Sequence, residues 1–385
     1  MPLIDVYNIA VLAILVVLTG ISIYNVWRFA TLPQADSAPD EAVRVSVLVP
    51  ARNEERCIEA CVRSLCLQTW PNLEVIVLDD NSTDATGSIL HALEAEFPAL
   101  RVMKGAPLPD GWVGKSWACH QLSEQASGSV LLFTDADTEH RPDTVARALR
   151  FMGQHSTDLL SLVPYQILGS FAEHVVIPMV HVLYFSYLPN NLILSNPRVS
   201  LSAANGQFMC FRRAAYEKIR GHRVVQSSLV EDVFLARAVK ASGGRIALVN
   251  GTNAVRCRMY TSAADVTRGF SKNFFPATGY NLPITLLFLL HLLTAFVVPL
   301  PMLVYAVFAP RADVAMFAGA QLLLAGIIRV LILRCFEMPF WHSILQPLSA
   351  AWACVIGVNS IRWAYSKAGT HWKGRSYSTS GSHHA

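Results

Sequence analysis

The sequence predicts an α/β domain with a mostly parallel sheet, held between transmembrane helices at both ends of the chain. Three observations carry this expectation. Residues 6–27 hold no charge, short apolar runs recur between helical segments from Arg44 to about Arg258, and long apolar stretches fill most of the chain after Lys272.

A helix over residues 6–27 would be about 33 Å long at about 1.5 Å per residue, enough to cross a hydrocarbon core of about 30 Å. Residues 1–29 therefore read as an N-terminal anchor. A cleaved leader is the competing reading, disfavoured because no basic stretch precedes the apolar run and the run is too long. Arg28 follows, and Pro33 to Asp40 reads as a polar linker.

Residues 43–260 form the predicted α/β domain. Its strands are expected at 45–49, 74–79, 129–134, 158–163 and 245–249, with helices between them on both faces of the sheet. In such sheets ligands collect beyond the carboxyl ends of the strands, so the polar residues just after each run are the ones that matter. Within this domain Ile167–Leu194 is apolar but broken by Pro178 and Pro189 and dotted with His174, His181, Asn190 and Asn191, and it reads as an interfacial or re-entrant segment.

Residues 261–275 read as an amphipathic juxtamembrane segment, 278–366 as about three further transmembrane helices, and 367–385 as a basic tail. The charges conflict. Arg28 and the basic α/β region place the domain in the cytoplasm at a plasma or inner membrane, and three later crossings would put the tail outside, yet Arg362, Lys367, Lys373 and Arg375 argue for inside. Either one C-terminal segment is a re-entrant hairpin, with Pro347 a bend point, or the tail departs from the rule.

Composition narrows the function. The chain is 53% hydrophobic and only 15% charged, with a net charge of +4 and no long basic run, which argues against nucleic acid and for a membrane surface as partner. The eight cysteines include no Cys-x-x-Cys pair and no zinc-type grouping with histidine, so they read as reduced thiols. No Gly-x-Gly-x-x-Gly follows the first strand, which disfavours a dinucleotide-dependent oxidoreductase.

Four constellations carry candidate chemistry. Val49-Pro50-Ala51-Arg52-Asn53-Glu54-Glu55 follows the first strand and Asp79-Asp80-Asn81-Ser82-Thr83-Asp84 the second, where a nucleotide would dock; an acidic turn that merely caps a helix is the plainer account of the latter. Asp135 and Asp137, two apart after Val130–Phe133, can converge on a hard divalent cation holding a diphosphate, although about one Asp-x-Asp arises by chance in a chain this long. Glu231-Asp232 opens a helical stretch to Ala241 and offers a general base, or simply acids favoured by the helix dipole. The loop Pro107 to Ala118 sets Lys115 at a helix start, able to meet a phosphate, beside Trp112 and Trp117.

The order V-L-V-P-A-R-N-E-E, V-L-D-D-N-S-T-D, T-D-A-D and V-E-D resembles that of family 2 glycosyltransferases over residues 43–260. The anchor and the C-terminal helices resemble the membrane-bound branch. The Gly-Trp-x-Gly-Lys-x-Trp-Ala loop and the tail Trp372-Lys373-Gly374-Arg375 are similar to the hopanoid-associated and carotenoid (chlorobactene-type) glucosyltransferases.

The resemblance implies a GT-A fold, a Rossmann-like nucleotide-sugar domain, and an inverting transfer of a hexose, glucose above all, from a nucleotide-diphosphate sugar, UDP-sugars favoured, to a hydroxyl of a lipid acceptor. It implies that Pro50, Arg52 and Glu54 line the nucleotide pocket, that Asp80 contacts the base, and that Lys115 lies near the phosphates. Asp135 and Asp137 would hold ribose, diphosphate and Mg2+ or Mn2+, and Asp232 would be the base. Asn205-Gly206-Gln207 resembles the acceptor-side segment, with Glu231 auxiliary. Where many membrane-embedded relatives carry Gln or Arg, two residues, then Arg-Trp, this chain reads Thr267 to Asn273, so Arg268 and Lys272 are candidate auxiliary cations or a basic face toward lipid headgroups.

Two other readings stand beside this one. The acceptor is a polyprenyl phosphate or polysaccharide, or the chain is a transporter or flippase subunit with a vestigial nucleotide domain. Against the latter, only Arg329 lies as a charge well inside an expected span, whereas membrane substrate paths are marked by several intramembrane polar groups.

Overall fold

The structure, a computed structural model, describes residues 3–34, 43–309, 311–366 and 370–377. Most of the Pro33–Asp40 linker, and Lys367 of the tail, lie outside the described residues. The chain forms two compact units, one of Phe29–Ile167 with Asn191–Met259, the other of Met1–Arg28, Leu168–Asn190 and Tyr260–Ala385.

The first unit is built on strands β1 (Val45–Ala51), β2 (Leu73–Asp79), β3 (Leu100–Lys104), β4 (Val130–Thr134), β5 (Thr138–His140), β6 (Leu159–Val163), β7 (Tyr165–Gln166), β8 (Phe208–Arg212), β9 (Ile246–Asn250) and β10 (Val255–Cys257). Seven of them form one sheet in the order β3-β2-β1-β4-β8-β6-β9, and β5, β10 and β7 form a small second sheet. The five expected apolar runs are β1, β2, β4, β6 and β9. Strands β4, β6 and β9 are buried along their whole length, which is why they read as continuous apolar runs rather than alternating ones.

Within the seven-stranded sheet β8 is the exception to parallel pairing, running antiparallel to both β4 and β6. A parallel strand needs a crossover that returns the chain to the same end of the sheet. The segment before β8 makes no such return, so β8 starts where β4 ends, with Phe208 opposite Thr134. That placement brings Asn205-Gly206-Gln207 to the Asp135–Asp137 turn.

Helices Ile58–Cys66, Thr86–Glu96 and Thr144–His155 close over the sheet through Ile58, Val62, Leu65, Leu90, Leu93, Phe151 and Met152. Arg147 is buried, but its guanidinium donates to the carbonyls of Pro33 (2.7 Å), Leu32 (2.9 Å) and Asn253 (3.1 Å). It thereby fastens residues 31–33 to the β9 edge, where Thr31 bridges Asn250. Gly128 approaches β1 so closely that a Cβ would lie 2.6 Å from the Ser46 nitrogen and 2.8 Å from the Arg44 carbonyl. Backbone cannot yield as a side chain does, so Gly128→Ala is expected to cost about 1–3 kcal/mol, seen as a lowered unfolding midpoint of the full-length protein; an unchanged midpoint would show that the β1–β4 edge is pliable.

The second unit is helical. Helices Leu3–Arg28, Ala312–Cys335 and Phe340–Ala364 are each long and apolar enough to cross a membrane, and Leu282–Val297 with Pro299–Phe308 makes a fourth if the bent pair is one span. A bend at Pro347, one of the two ways of reconciling the tail's charges, is not there: Pro347 sits in the first turn of the Gln346–Ala364 helix, where its missing N–H is harmless. The 41° bend falls at Pro299 instead.

The interfacial or re-entrant segment expected within the catalytic domain is a 17-residue helix, Phe171–Tyr187, that belongs to this helical unit. Pro178 lies inside it without ending it. A capping box of Ser170 and Glu173 starts the helix. Polar contacts tie it to the first helix: Ser22 meets Ser186 at 3.0 Å, and Asn25 donates to the Leu188 carbonyl at 2.8 Å and accepts from the Asn190 N–H at 2.8 Å. Near the C-terminus Thr370–Trp372 and Arg375–Tyr377 form a hairpin whose turn residues Lys373 and Gly374 both have positive φ, the geometry of a two-residue turn of the primed type.

Candidate functional site

The candidate site lies at the carboxyl ends of β1, β2 and β4. Pro50 has no N–H to give, and it is tolerated in an inner strand because the β1–β4 ladder stops at Leu48, leaving Pro50 paired only with Leu78 of β2. Beyond it the β1 and β2 loops lock together. Arg52 donates through Nη1 to the carbonyls of Asp80 (2.5 Å) and Asn81 (3.1 Å). The Glu54 N–H donates to Thr86 Oγ1 at 2.7 Å, and the Thr83 N–H to Asn53 Oδ1 at 2.8 Å. Asn53 and Asn81 both take the left-handed conformation, which asparagine tolerates better than most residues. Asp80 is buried at the base of this pair of loops.

The second wall is the turn after β4. Thr134 Oγ1 donates to the Gln207 carbonyl at 2.7 Å, and Thr138 Oγ1 to the Asp135 carbonyl at 2.8 Å. His140 Nε2 lies 3.1 and 2.9 Å from these two hydroxyl oxygens, and burial lowers its pKa to about 3, so the imidazole is a neutral prop of the turn. Asp137 faces the buried Cys257 thiol of β10, whose pKa is pushed well up by burial and then by Asp137 and Asp135. Gln207 Nε2 also reaches Cys257 Sγ, at 2.8 Å.

Lys115 stands in the first turn of the Gly114–Gln125 helix, where the dipole disfavours a cation. Two carboxylates offset that: its Nζ lies 2.7 Å from Asp135 Oδ1 and 2.8 Å from Glu231 Oε1. Burial works against the ammonium, but Asp135 and Glu231 outweigh it and hold the pKa well above the ordinary lysine value. Gly206 packs against this triad so that a Cβ would sit 3.1 Å from Lys115 Nζ.

Asp232 occupies the first turn of helix Glu231–Ala241. Its Oδ2 accepts from the Gly206 N–H (3.1 Å) and its Oδ1 from the Val233 N–H (2.8 Å). Burial first, and then the Glu231 charge, raise its pKa to about 6, despite the opposing pull of Lys115 and the two N–H donors. The fold thus gathers Asp135, Lys115, Glu231, Gly206 and Asp232 in one connected set. Asn205 holds the adjoining bend, its N–H donating to Ser161 Oγ at 2.7 Å and its side chain accepting from the Gln207 N–H at 2.9 Å. Arg268 and Lys272 belong to helix Ala263–Ala277 of the helical unit.

Sequence reasoning missed Cys257 and Gln166, whose Nε2 donates to Gln207 Oε1 at 3.0 Å. Both lie in strands of two or three residues, too short to show a period. It also missed His120, which stacks on Trp112 with centroids 5.2 Å apart and lies 5.6 Å from Trp117. One helical turn from Trp117, that histidine was findable by spacing.

Among the described residues no group of three or more His, Cys, Asp or Glu side chains gathers to hold a metal ion. The donor set of Asp135 and Asp137 fits a hard cation of the Mg2+ or Mn2+ kind, which takes one or two carboxylates and completes its shell with substrate phosphates and water; it does not fit an all-protein cage.

Known proteins resemble this chain in sequence and in fold. The chain is 26% identical over 224 residues to a 4,4'-diaponeurosporenoate glycosyltransferase of Staphylococcus haemolyticus, covering 56% of each protein. It is 28% identical over 248 residues to the enzyme of that name in Staphylococcus aureus, covering 62% of this chain and 63% of the relative. The matches therefore span less than two thirds of these curated relatives. Among solved structures, a mannosyltransferase from Pyrobaculum calidifontis in complex with GDP-Man and Mn2+ superposes with a TM-score of 0.56 at 20% identity, covering 92% of this chain and all of that one, and so shares its fold. The model of glycosyl transferase family 2 matches residues 46–220, from β1 through β8. Over those residues the chain is similar to the family 2 glycosyl transferases, and its fold is that of the mannosyltransferase.

Proposed function

We propose that the protein is an inverting glycosyltransferase of a plasma or inner membrane, its catalytic domain cytoplasmic, that moves a hexose, glucose by preference, from a nucleotide-diphosphate sugar to a hydroxyl of a lipid acceptor of carotenoid or hopanoid type. The observation that carries this reading is the pairing of Asp232, its pKa raised to about 6, with a fully charged Lys115 across Gly206. One is an ionisable base, the other a fixed cation. The loops around Pro50, Arg52, Glu54 and Asp80 supply the nucleotide side, and UDP-sugars are the favoured donors. Asp135 and Asp137 would hold a divalent cation, which when bound neutralises charge on the departing diphosphate. Helices long enough to cross a membrane and relatives named for a carotenoid acid support the lipid acceptor.

In the transfer, Asp232 takes the proton from the acceptor oxygen as that oxygen attacks the anomeric carbon from the face opposite the leaving diphosphate. Lys115 stays protonated throughout and steadies Asp135 and Glu231, with its remaining donor capacity available to a phosphate. Arg268 and Lys272 are proposed to face lipid headgroups.

The test is transfer of radiolabel from UDP- and GDP-sugars into the organic phase by membranes carrying the protein, with magnesium or manganese added. Label in a lipid supports the reading; none from any donor, with folded protein and native lipids, turns it toward a polymer acceptor or a non-catalytic role. A second reading has one specific support: both relatives are named for an acid acceptor, and a carboxylate, already ionised, needs no base.

The pH dependence follows from Asp232. With a hydroxyl acceptor, kcat/KM should rise with pH through about 6 and then level off as the carboxylate ionises, checked by initial rates at fixed donor. A flat profile would remove the base. The linked stability has the opposite sign: because the folded pKa lies above the ordinary 3.8, Asp232 contributes stability that is full below 3.8 and is lost as pH rises through about 6.

A further inference from the structure

Arg329 lies in the membrane-length helix Ala312–Cys335 and is wholly buried within the helical unit. Its Nη2 has one long contact, 3.4 Å to Ser349 Oγ, a hydroxyl already donating to the Val175 carbonyl at 2.6 Å. Its Nε and Nη1 meet no protein acceptor. The carboxylate of Glu173, on the helix packed alongside, accepts from the N–H groups of Gly169 (2.9 Å) and Ser170 (2.7 Å).

Two more buried groups stand within electrostatic reach of the guanidinium, His181 and His342. His181 Nε2 and His342 Nδ1 likewise have no protein partner, while their other ring nitrogens engage the Ile177 carbonyl (3.1 Å) and His174 Nδ1 (2.7 Å). A guanidinium taken out of water without a counter-charge is costly, and nothing in the nucleotide-sugar chemistry of the other unit requires one here. A cation with free donors inside an apolar helical unit calls for an oxyanion.

We propose that Arg329 forms an oxyanion site inside the helical unit, taking the acid group, carboxylate or phosphate, of an amphipathic lipid whose chain lies among the exposed apolar faces of the helices. Guanidinium suits either group because its planar donors match paired oxygens. The site concerns binding alone and stands whether or not the transfer reading holds.

The test is thermal unfolding of the purified full-length protein in a neutral detergent, titrated separately with phosphatidylglycerol, phosphatidylcholine of the same chains, a long-chain fatty acid, and inorganic phosphate. Phosphatidylglycerol or the fatty acid, but not phosphatidylcholine, should raise the unfolding temperature of the wild type, and whichever acts at the lower concentration identifies phosphate or carboxylate as the group held. Arg329→Met, which replaces a buried unpaired charge with an apolar chain, should fold, unfold at a higher temperature than the lipid-free wild type, and bind the acidic lipid about tenfold more weakly or worse. Equal stabilisation by phosphatidylcholine, an equal effect of inorganic phosphate alone, or undiminished binding by Arg329→Met would each overturn the site. The wild-type titration decides the question even where the variant fails to fold.

Discussion

Asp232→Asn should leave nucleotide binding intact and lower transfer by about 10²- to 10⁴-fold, the range expected when a positioned base is removed. The replacement keeps the shape of the side chain and one acceptor oxygen, so only one of the two backbone bonds, from Gly206 or Val233, is lost. It also removes the charge that burial and Glu231 make expensive, so the variant should be no less stable than the wild type near neutral pH. Nucleotide binding, measured directly, reports the intact pocket, and label transferred to lipid reports the chemistry. Near-normal transfer with an acidic lipid acceptor would mean that the attacking oxygen arrives already ionised, and would take the role of base from Asp232.

The second large effect is expected at Asp137. Asp137→Ala should abolish metal-dependent binding of the nucleotide sugar, and a chelator should weaken the wild type to the same degree while leaving the variant unchanged. Binding measured with and without magnesium or manganese, before any turnover, separates this from a defect in transfer. Retained binding and turnover would remove the carboxylate from the metal assignment. The same substitution takes away one of the charges that pushes the Cys257 thiol up, so that thiol should become easier to ionise even if metal binding proves unrelated.

Much of the sheet could be read in advance because β4, β6 and β9 are buried along their length and are apolar but for Thr134, Ser161 and Asn250. The edge strand β3 was not, since Leu100-Arg101-Val102-Met103-Lys104 carries two charges and looks like a loop. Antiparallel β8 was visible as an apolar run at Phe208 to Phe211, but direction is set by how the chain re-enters the sheet, and no local pattern records that. In the site, the Asp135–Asp137 turn and Glu231-Asp232 announced themselves as acids at element ends. Their meeting through Lys115 did not, because it depends on a lysine drawn from a helix start more than a hundred residues before Glu231. The segment Phe171–Tyr187 misled because proline and polar residues in an apolar run suggest a break, whereas here Ser186 and the residues just beyond the helix are satisfied by Ser22 and Asn25 of another helix.

The helical unit is assembled from three separate stretches of sequence, and this governs how the protein can be made. Asn8 of the first helix meets its partner Gln321, at 3.2 Å, across 313 positions of chain. On the ribosome that first helix emerges long before Ala312–Cys335 exists, and the whole sheet must be synthesised in between, so its lateral packing is completed only near the end of translation. Premature termination before residue 312 therefore leaves the first helix beside Phe171–Tyr187, through Ser22 and Asn25, but with Asn8 deprived of Gln321.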